Sequence, residues 1–189
     1  MLDSEFNRLK LDDFGRFLSD PNLWVASAQA LFASAQHLSI EIEKRWLRSE
    51  YKFFRWFLFK RRDRLEAPEL QSVYLMLIAF CLENLLKAHL VKNLSQDIRS
   101  EVTKTGKLPQ TLNTHDLNQL AKTCGIDLDS IQNLALYRLT VFSWRGRYLL
   151  PITFRTFDEI DVFQFSPNDL YYYDELVKRM ATRLGLDLR

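Results

Sequence analysis

From Val73 to Val91 the chain reads VYLMLIAFCLENLLKAHLV, nineteen residues whose apolar wall is broken by Glu83 and Lys87. A helix that is apolar on nearly every side has to be covered on every side, so this segment belongs at the centre of a bundle. The unbroken apolar stretch, Val73 to Leu82, is ten residues, against the roughly 18 or more of a bilayer span. The sequence therefore predicts a core helix here and no transmembrane segment.

The rest of the chain supplies the cover. At 189 residues, 47% of them hydrophobic, with five glycines and five prolines, it is long enough to bury a core without covalent staples. Trp24, Ala28, Leu31, Ala35, Leu38, Ile42 and Trp46 recur at alternating spacings of four and three, which is one face of a helix. Between Pro21 and Pro68 there is neither Gly nor Pro, so that helix is expected to run from Pro21 to about Arg61, with Ser49 as a candidate break. Pro68 and Glu69 suit the first turn of the central helix. Shorter helices are expected over 3–18, over 95–104 before Gly106, over 115–124 capped by Asn113 or Thr114 and stopped at Gly125, and from a cap at Asp127 or Asp129 through Leu134 to about Ser143. A last helix begins at Ser166, whose spacing to Asp169 resembles a capping box. Val162–Phe165 and Tyr148–Phe154 could be extended, but no alternating run is strong. The expected fold is all-α: an up-and-down bundle around two long antiparallel helices with additional short ones. One domain covers 1–189, with an N-terminal extension over 1–20 and an irregular loop region over 145–165.

Charge is unevenly spread. The net charge is +2, yet Lys44 to Arg64 holds nine basic and two acidic residues. On a helical wheel Lys44, Arg48, Lys52, Arg55 and Arg62 share a face with Tyr51 and Phe59, opposite Trp46, Phe53 and Phe57. A basic face with interleaved aromatics can track phosphates and stack bases, can lie on an anionic membrane surface, or can be a solvated face with snorkelling stems. The charged start of the chain lacks the apolar core of a signal peptide, and the two cysteines suit packing or helix-end positions in a reducing compartment. A cytoplasmic protein is the expectation. No Gly-rich phosphate loop and no HExxH, CxxC or Asp-x-Asp cluster is present, so neither a cofactor nor a metal is implied.

Three segments together, AFCLENLLKAHL (Ala79–Leu90), HDLNQLAKTCGI (His115–Ile126) and WRGRY (Trp144–Tyr148) ahead of Pro151, make the chain resemble a HEPN domain, the higher eukaryotes and prokaryotes nucleotide-binding group. The resemblance spans residues 70–150 and implies a helical bundle that dimerises. It also implies a link to RNA or nucleotides, to toxin–antitoxin or defence systems, and to nucleotidyltransferase-type partners. Ribonuclease members carry an Arg four to six residues before a His. Here the histidines are 37, 89 and 115, with no Arg four to seven residues upstream of any. That departure argues against catalysis by the family's route, and no catalytic residue is assigned.

The candidate ligand-binding residues are Arg145, Arg147, Tyr148, Lys87, Glu83 and His115. Arg145 and Arg147 flank Gly146, where the backbone can approach a ligand and forked guanidinium groups suit phosphate; alternatively, one of them pins the loop to Glu83 or Asp116. Glu83 and Lys87 stand in the favourable i,i+4 order, which reads first as a structural pair and second as a phosphate-contacting lysine with its positioning carboxylate. His115 reads first as a tie between a turn and the long helices. An acid–base role for it, with Glu83, is the less favoured alternative. Two readings result: a non-catalytic nucleic-acid- or nucleotide-binding module, or a helical dimer or adaptor acting through protein contacts and presenting Phe54, Trp56 and Leu58.

Overall fold

The computed structural model describes residues 2–59, 70–145 and 166–188, with side chains over 9–47, 70–143, 166 and 168–188. Among the described residues there are six helices and no strand: α1 (Leu2–Leu18), α2 (Pro21–Phe59), α3 (Leu70–Thr105), α4 (Leu117–Thr123), α5 (Ser130–Arg145) and α6 (Pro167–Leu184). The all-α expectation holds. The expected role of Pro68 and Glu69, the extended stretches within 148–165 and most of the 145–165 loop fall outside the described residues.

α3 is the axle of the molecule. Tyr74, Ile78, Leu82, Leu85, Leu86 and Val91 have no solvent exposure, and they point to different sides of the helix. α1, α2, α4, α5 and α6 all pack on it. Among the described residues it is the one helix long and apolar enough to cross a bilayer, and most of that stretch is buried inside the bundle, as the central helix of a bundle must be.

α2 runs 39 residues without a break at Ser49, about 58 Å at 1.5 Å per residue. Its four-three face lies on α3 as expected: Ala28, Ala35 and Ile42 are fully buried, with Trp24, Leu31, Leu38 and Trp46 packed against the core. The two helices are antiparallel: Trp24 near the start of α2 sits over Lys87 at the middle of α3, whereas Glu43 further along α2 is close to Asp174, the partner of Tyr74 near the start of α3. The alanines set how close they come, since a larger side chain at 28 or 35 would push them apart. α6 runs alongside α3, with the Tyr74 hydroxyl donating to Asp174 Oδ1 at 2.9 Å near one end. Near the other, His89 Nδ1 lies 3.4 Å from the carbonyl of Leu184.

Three local expectations change. The segment 95–104 is not a separate helix: it continues α3 beyond a kink at Leu94 (φ −125°, ψ 21°), and Gly106 at φ 66° then ends it. α1, expected as an extension, packs on this second half of α3, where Arg99 Nη2 meets Asp12 Oδ1 at 2.7 Å. The cap of α4 is Asp116, whose side chain accepts from the Gln119 backbone at 3.0 Å. Thr114 instead accepts from the Asp116 backbone through Oγ1 at 3.2 Å, and Asn113 takes no part in that cap. α5 starts at Ser130, as a cap at Asp129 predicts, with Asp129 Oδ1 receiving the Gln132 backbone N–H at 2.8 Å. At α6 the expected reciprocal contact forms, the Ser166 N–H donating to Asp169 Oδ2 at 2.6 Å.

Ala35→Leu tests the close α2–α3 approach. With Ala35 fully buried, overpacking is expected to cost about 1–3 kcal/mol in urea denaturation, whereas Ala33→Leu on the exposed side of the same helix should cost almost nothing.

Candidate functional site

Halfway along α3, Glu83 and Lys87 face the same side one turn apart, and Lys87 Nζ donates to Glu83 Oε1 at 2.6 Å. Both side chains are inside, 4% exposed for Lys87 and 9% for Glu83. A buried carboxylate and a buried ammonium are each expensive, and each is tolerable here because the other is present. The ammonium also lies 5.8 Å from the centre of the Trp24 ring, a cation–π contact in a desolvated place. Trp24 is itself fixed by its indole N–H, which donates to the Leu18 carbonyl at 3.0 Å, across the α1–α2 junction.

Glu83 is held from a second direction. His115 Nδ1 lies 2.9 Å from Oε1 and 3.1 Å from Oε2. A carboxylate can only accept, so Nδ1 carries the proton and the ring orientation is set. Unlike its partners, the His115 side chain is 39% exposed. Trp24, Lys87, Glu83 and His115 thus form a row of successive contacts that ends at the bundle's edge.

The local chain places His115 there through α4. Asp116 caps the helix, and Cys124 at its other end donates through Sγ to the Leu86 carbonyl at 3.4 Å. α4 is therefore strapped to α3 at both ends, by His115 to Glu83 and by Cys124 to Leu86. α5 closes the same edge. The Leu117 N–H donates to Thr140 Oγ1 at 3.1 Å, and Asn118 Nδ2 donates to the Asn133 carbonyl at 3.1 Å. Arg145, the last residue of α5, is then five residues beyond Thr140, about 7.5 Å further along the axis. Its side chain, and Arg147 and Tyr148 altogether, lie outside what is described.

The structure thus brings Glu83, Lys87 and His115 into contact, while Arg145 lies on the α5 backbone five residues past Thr140. The ammonium of Lys87 is engaged inside the bundle, as the structural reading of the pair has it. The basic face is separate. Lys44 is exposed on α2, while Arg48, Lys52 and Arg55 are on its helical backbone with side chains outside the described set, as is Arg62 entirely. Two participants were not foreseen. Trp24 was visible only as a core position, and Thr140 carried no local signal, because its role depends on a helix 23 residues away.

A second polar cluster joins α3 to α6. The buried Tyr74 hydroxyl donates to Asp174 Oδ1, with the Leu170 carbonyl also within reach at 3.0 Å. Burial pushes the Asp174 carboxyl above its usual range, against the opposing pull of the Tyr74 hydrogen bond. Burial likewise pushes the Cys81 thiol up to about 12 and Cys124 up to about 11, so neither offers a thiolate near neutral pH. Among the described residues no group of three His, Cys, Asp or Glu side chains could hold a metal ion. No protein-family model, curated protein or solved structure matches the chain, so any functional reading stands on this geometry.

Two outcomes test the site's energetics. Glu83→Ala leaves Lys87 buried without its counter-charge and is expected to cost about 3–5 kcal/mol by chemical denaturation. His115→Ala removes the partly exposed arm and should cost no more than about 1 kcal/mol; equal losses would contradict the asymmetry. For Asp174, a folded pKa above the unfolded one means the folded state holds the proton more tightly, so its charged form destabilises the fold at neutral pH and that penalty fades as pH falls. Asp174→Asn keeps an acceptor for Tyr74 and removes the charge. Its melting temperature should exceed the wild type's by about 2–4 °C at pH 7, with the gap closing toward pH 4.

Proposed function

We propose that this protein is a HEPN-like, non-catalytic module that binds RNA or a nucleotide through phosphate contacts at the edge where α4 meets the end of α5. The observation that supports it most is the fixed His115 ring. A buried carboxylate already neutralised by Lys87 grips Nδ1, so the imidazole reaches the surface in one orientation. A binding group held still before its ligand arrives loses less freedom on binding. Arg145 ends its helix near the same edge, and Arg147 with Tyr148 follow within three residues, a composition suited to a phosphate and a base or sugar face. The absence of an Arg placed before any His in the nuclease spacing favours binding over cleavage. Membership of a toxin–antitoxin or defence system, with a nucleotidyltransferase-type partner, belongs to this same reading. The dimer or adaptor role is the second reading, favoured by the charge-free stretch of α2 from Pro21 to Gln36.

Fluorescence anisotropy with labelled single-stranded RNA, at low and at physiological salt, tests the phosphate reading. Saturable binding that weakens with salt is expected. Arg145→Ala with Arg147→Ala should weaken it roughly tenfold or more and lower the salt slope by about one to two. His115→Ala should weaken it while leaving the fold intact by circular dichroism. No binding at low salt, or binding that none of these substitutions changes, rules the reading out.

A further inference from the structure

α2 outruns the helices it packs on. It lies antiparallel to α3, with Trp24 over Lys87. From that contact α3 runs back seventeen residues to Leu70, its first described residue, while α2 runs on thirty-five residues to Phe59. At 1.5 Å per residue, α2 passes the described start of α3 by about 27 Å. α6, the other described helix packed along α2, brings Asp174 close to Glu43 and begins at Pro167. The same measure carries α2 about 13 Å beyond that point. Residues 51–59 therefore lie past the described starts of both helices.

Composition changes at the same place. Residues 51–59 read YKFFRWFLF: six aromatic residues and a leucine, with Lys52 and Arg55 and no acid. On a helical wheel Trp56, Phe53, Phe57, Phe54 and Leu58 share an uncharged arc of about 200°. Lys52 and Arg55 fall together on the remaining arc. Arg48 and Lys44, one and two turns earlier, continue that strip back toward the bundle. Of the rings, Tyr51 and Phe59 alone share the strip's side of the helix.

Two observations identify what this end meets. The first is that most of the rings are segregated from the cations. Binding a nucleic-acid strand needs them interleaved on one face, so that bases stack where phosphates are tracked. A helix lying in a bilayer interface needs them apart, with an apolar face at the acyl boundary, cations toward anionic headgroups and Trp at the level between. The second is length. Nine helical residues span about 13 Å, less than half of the roughly 30 Å hydrocarbon core, which suits lying on a bilayer and not crossing it. A groove on another protein would accept the apolar arc, but the cation strip selects a negatively charged surface.

We infer that the projecting end of α2 is a membrane-surface anchor, seating residues 51–59 in the interface of an anionic lipid bilayer with the Lys44–Arg48–Lys52–Arg55 strip matched to its charge. This goes beyond the phosphate-binding reading and does not depend on it.

Sedimentation of the full chain with lipid vesicles tests the inference. Vesicles of phosphatidylcholine with about 30% phosphatidylserine should carry the protein down, and phosphatidylcholine alone should carry at least tenfold less. Lys52→Glu with Arg55→Glu should weaken binding at least tenfold. Phe54→Ser with Leu58→Ser, both off the line that continues the inner face of α2, should weaken it as much with helicity unchanged by circular dichroism. Brominated lipid in the same vesicles should quench wild-type tryptophan fluorescence. Trp56→Phe, which keeps an aromatic ring at that position, should still sediment but lose the quenching. Equal binding to neutral vesicles overturns the inference, and so does quenching that persists in Trp56→Phe. No sedimentation with anionic vesicles overturns it too. Single-stranded RNA binding lost in the Lys52→Glu, Arg55→Glu variant would then give the strip to nucleic acid.

Discussion

A helix that cannot leave any side uncovered governs the rest of this structure. Once α3 is apolar all round, its neighbours are obliged to pack on it, and every other described helix does. The same constraint raises the cost of the two charges at its middle. Glu83 and Lys87 cannot both be inside unless they meet, and they meet one turn apart at 2.6 Å. The pair does more than neutralise itself. Its carboxylate has a second side, and that side takes hold of His115 from a different segment of the chain. A purely structural pair could have been replaced by two leucines without loss of burial. What the leucines could not supply is a fixed polar anchor for a residue at the surface.

The features visible in the sequence are those carried by spacing and by short-range capping chemistry. The four-three face of α2, the apolar run of α3, the reciprocal Ser166–Asp169 contact and the glycine stops at 106 and 125 all depend on neighbours within a turn or two. The features that were missed depend on something further away. The kink at Leu94 has no proline or glycine to announce it, and the helix resumes at once, so 95–104 looked separate. The cap at Asp116 was placed two or three residues early because Asn113 and Thr114 are equally good capping residues on paper. The choice is made in space, by His115 reaching Glu83 and by the Leu117 N–H finding Thr140. The Glu83–Lys87 pair was legible as an i,i+4 match, but its depth was not, because burial depends on what lies opposite.

Trp24 fixes which side of α2 faces the site. Trp24 is on the inner face of α2 and sits over Lys87, so that face looks toward the Glu83–His115 line. Ala26, Ala30 and Ala33 are half a turn round the same helix and look away from it.

The distribution of charge along α2 makes the same division along the helix. Its first sixteen residues, 21–36, have no charge; they pack inward through Trp24, Ala28 and Ala35, while Ala26, Ala30 and Ala33 are exposed on the other side. The basic excess begins only after Ile40. Had the basic residues been scattered evenly, repulsion between like charges would have opposed any close pairing of two such helices. Concentrating them at one end leaves the other end free of that repulsion.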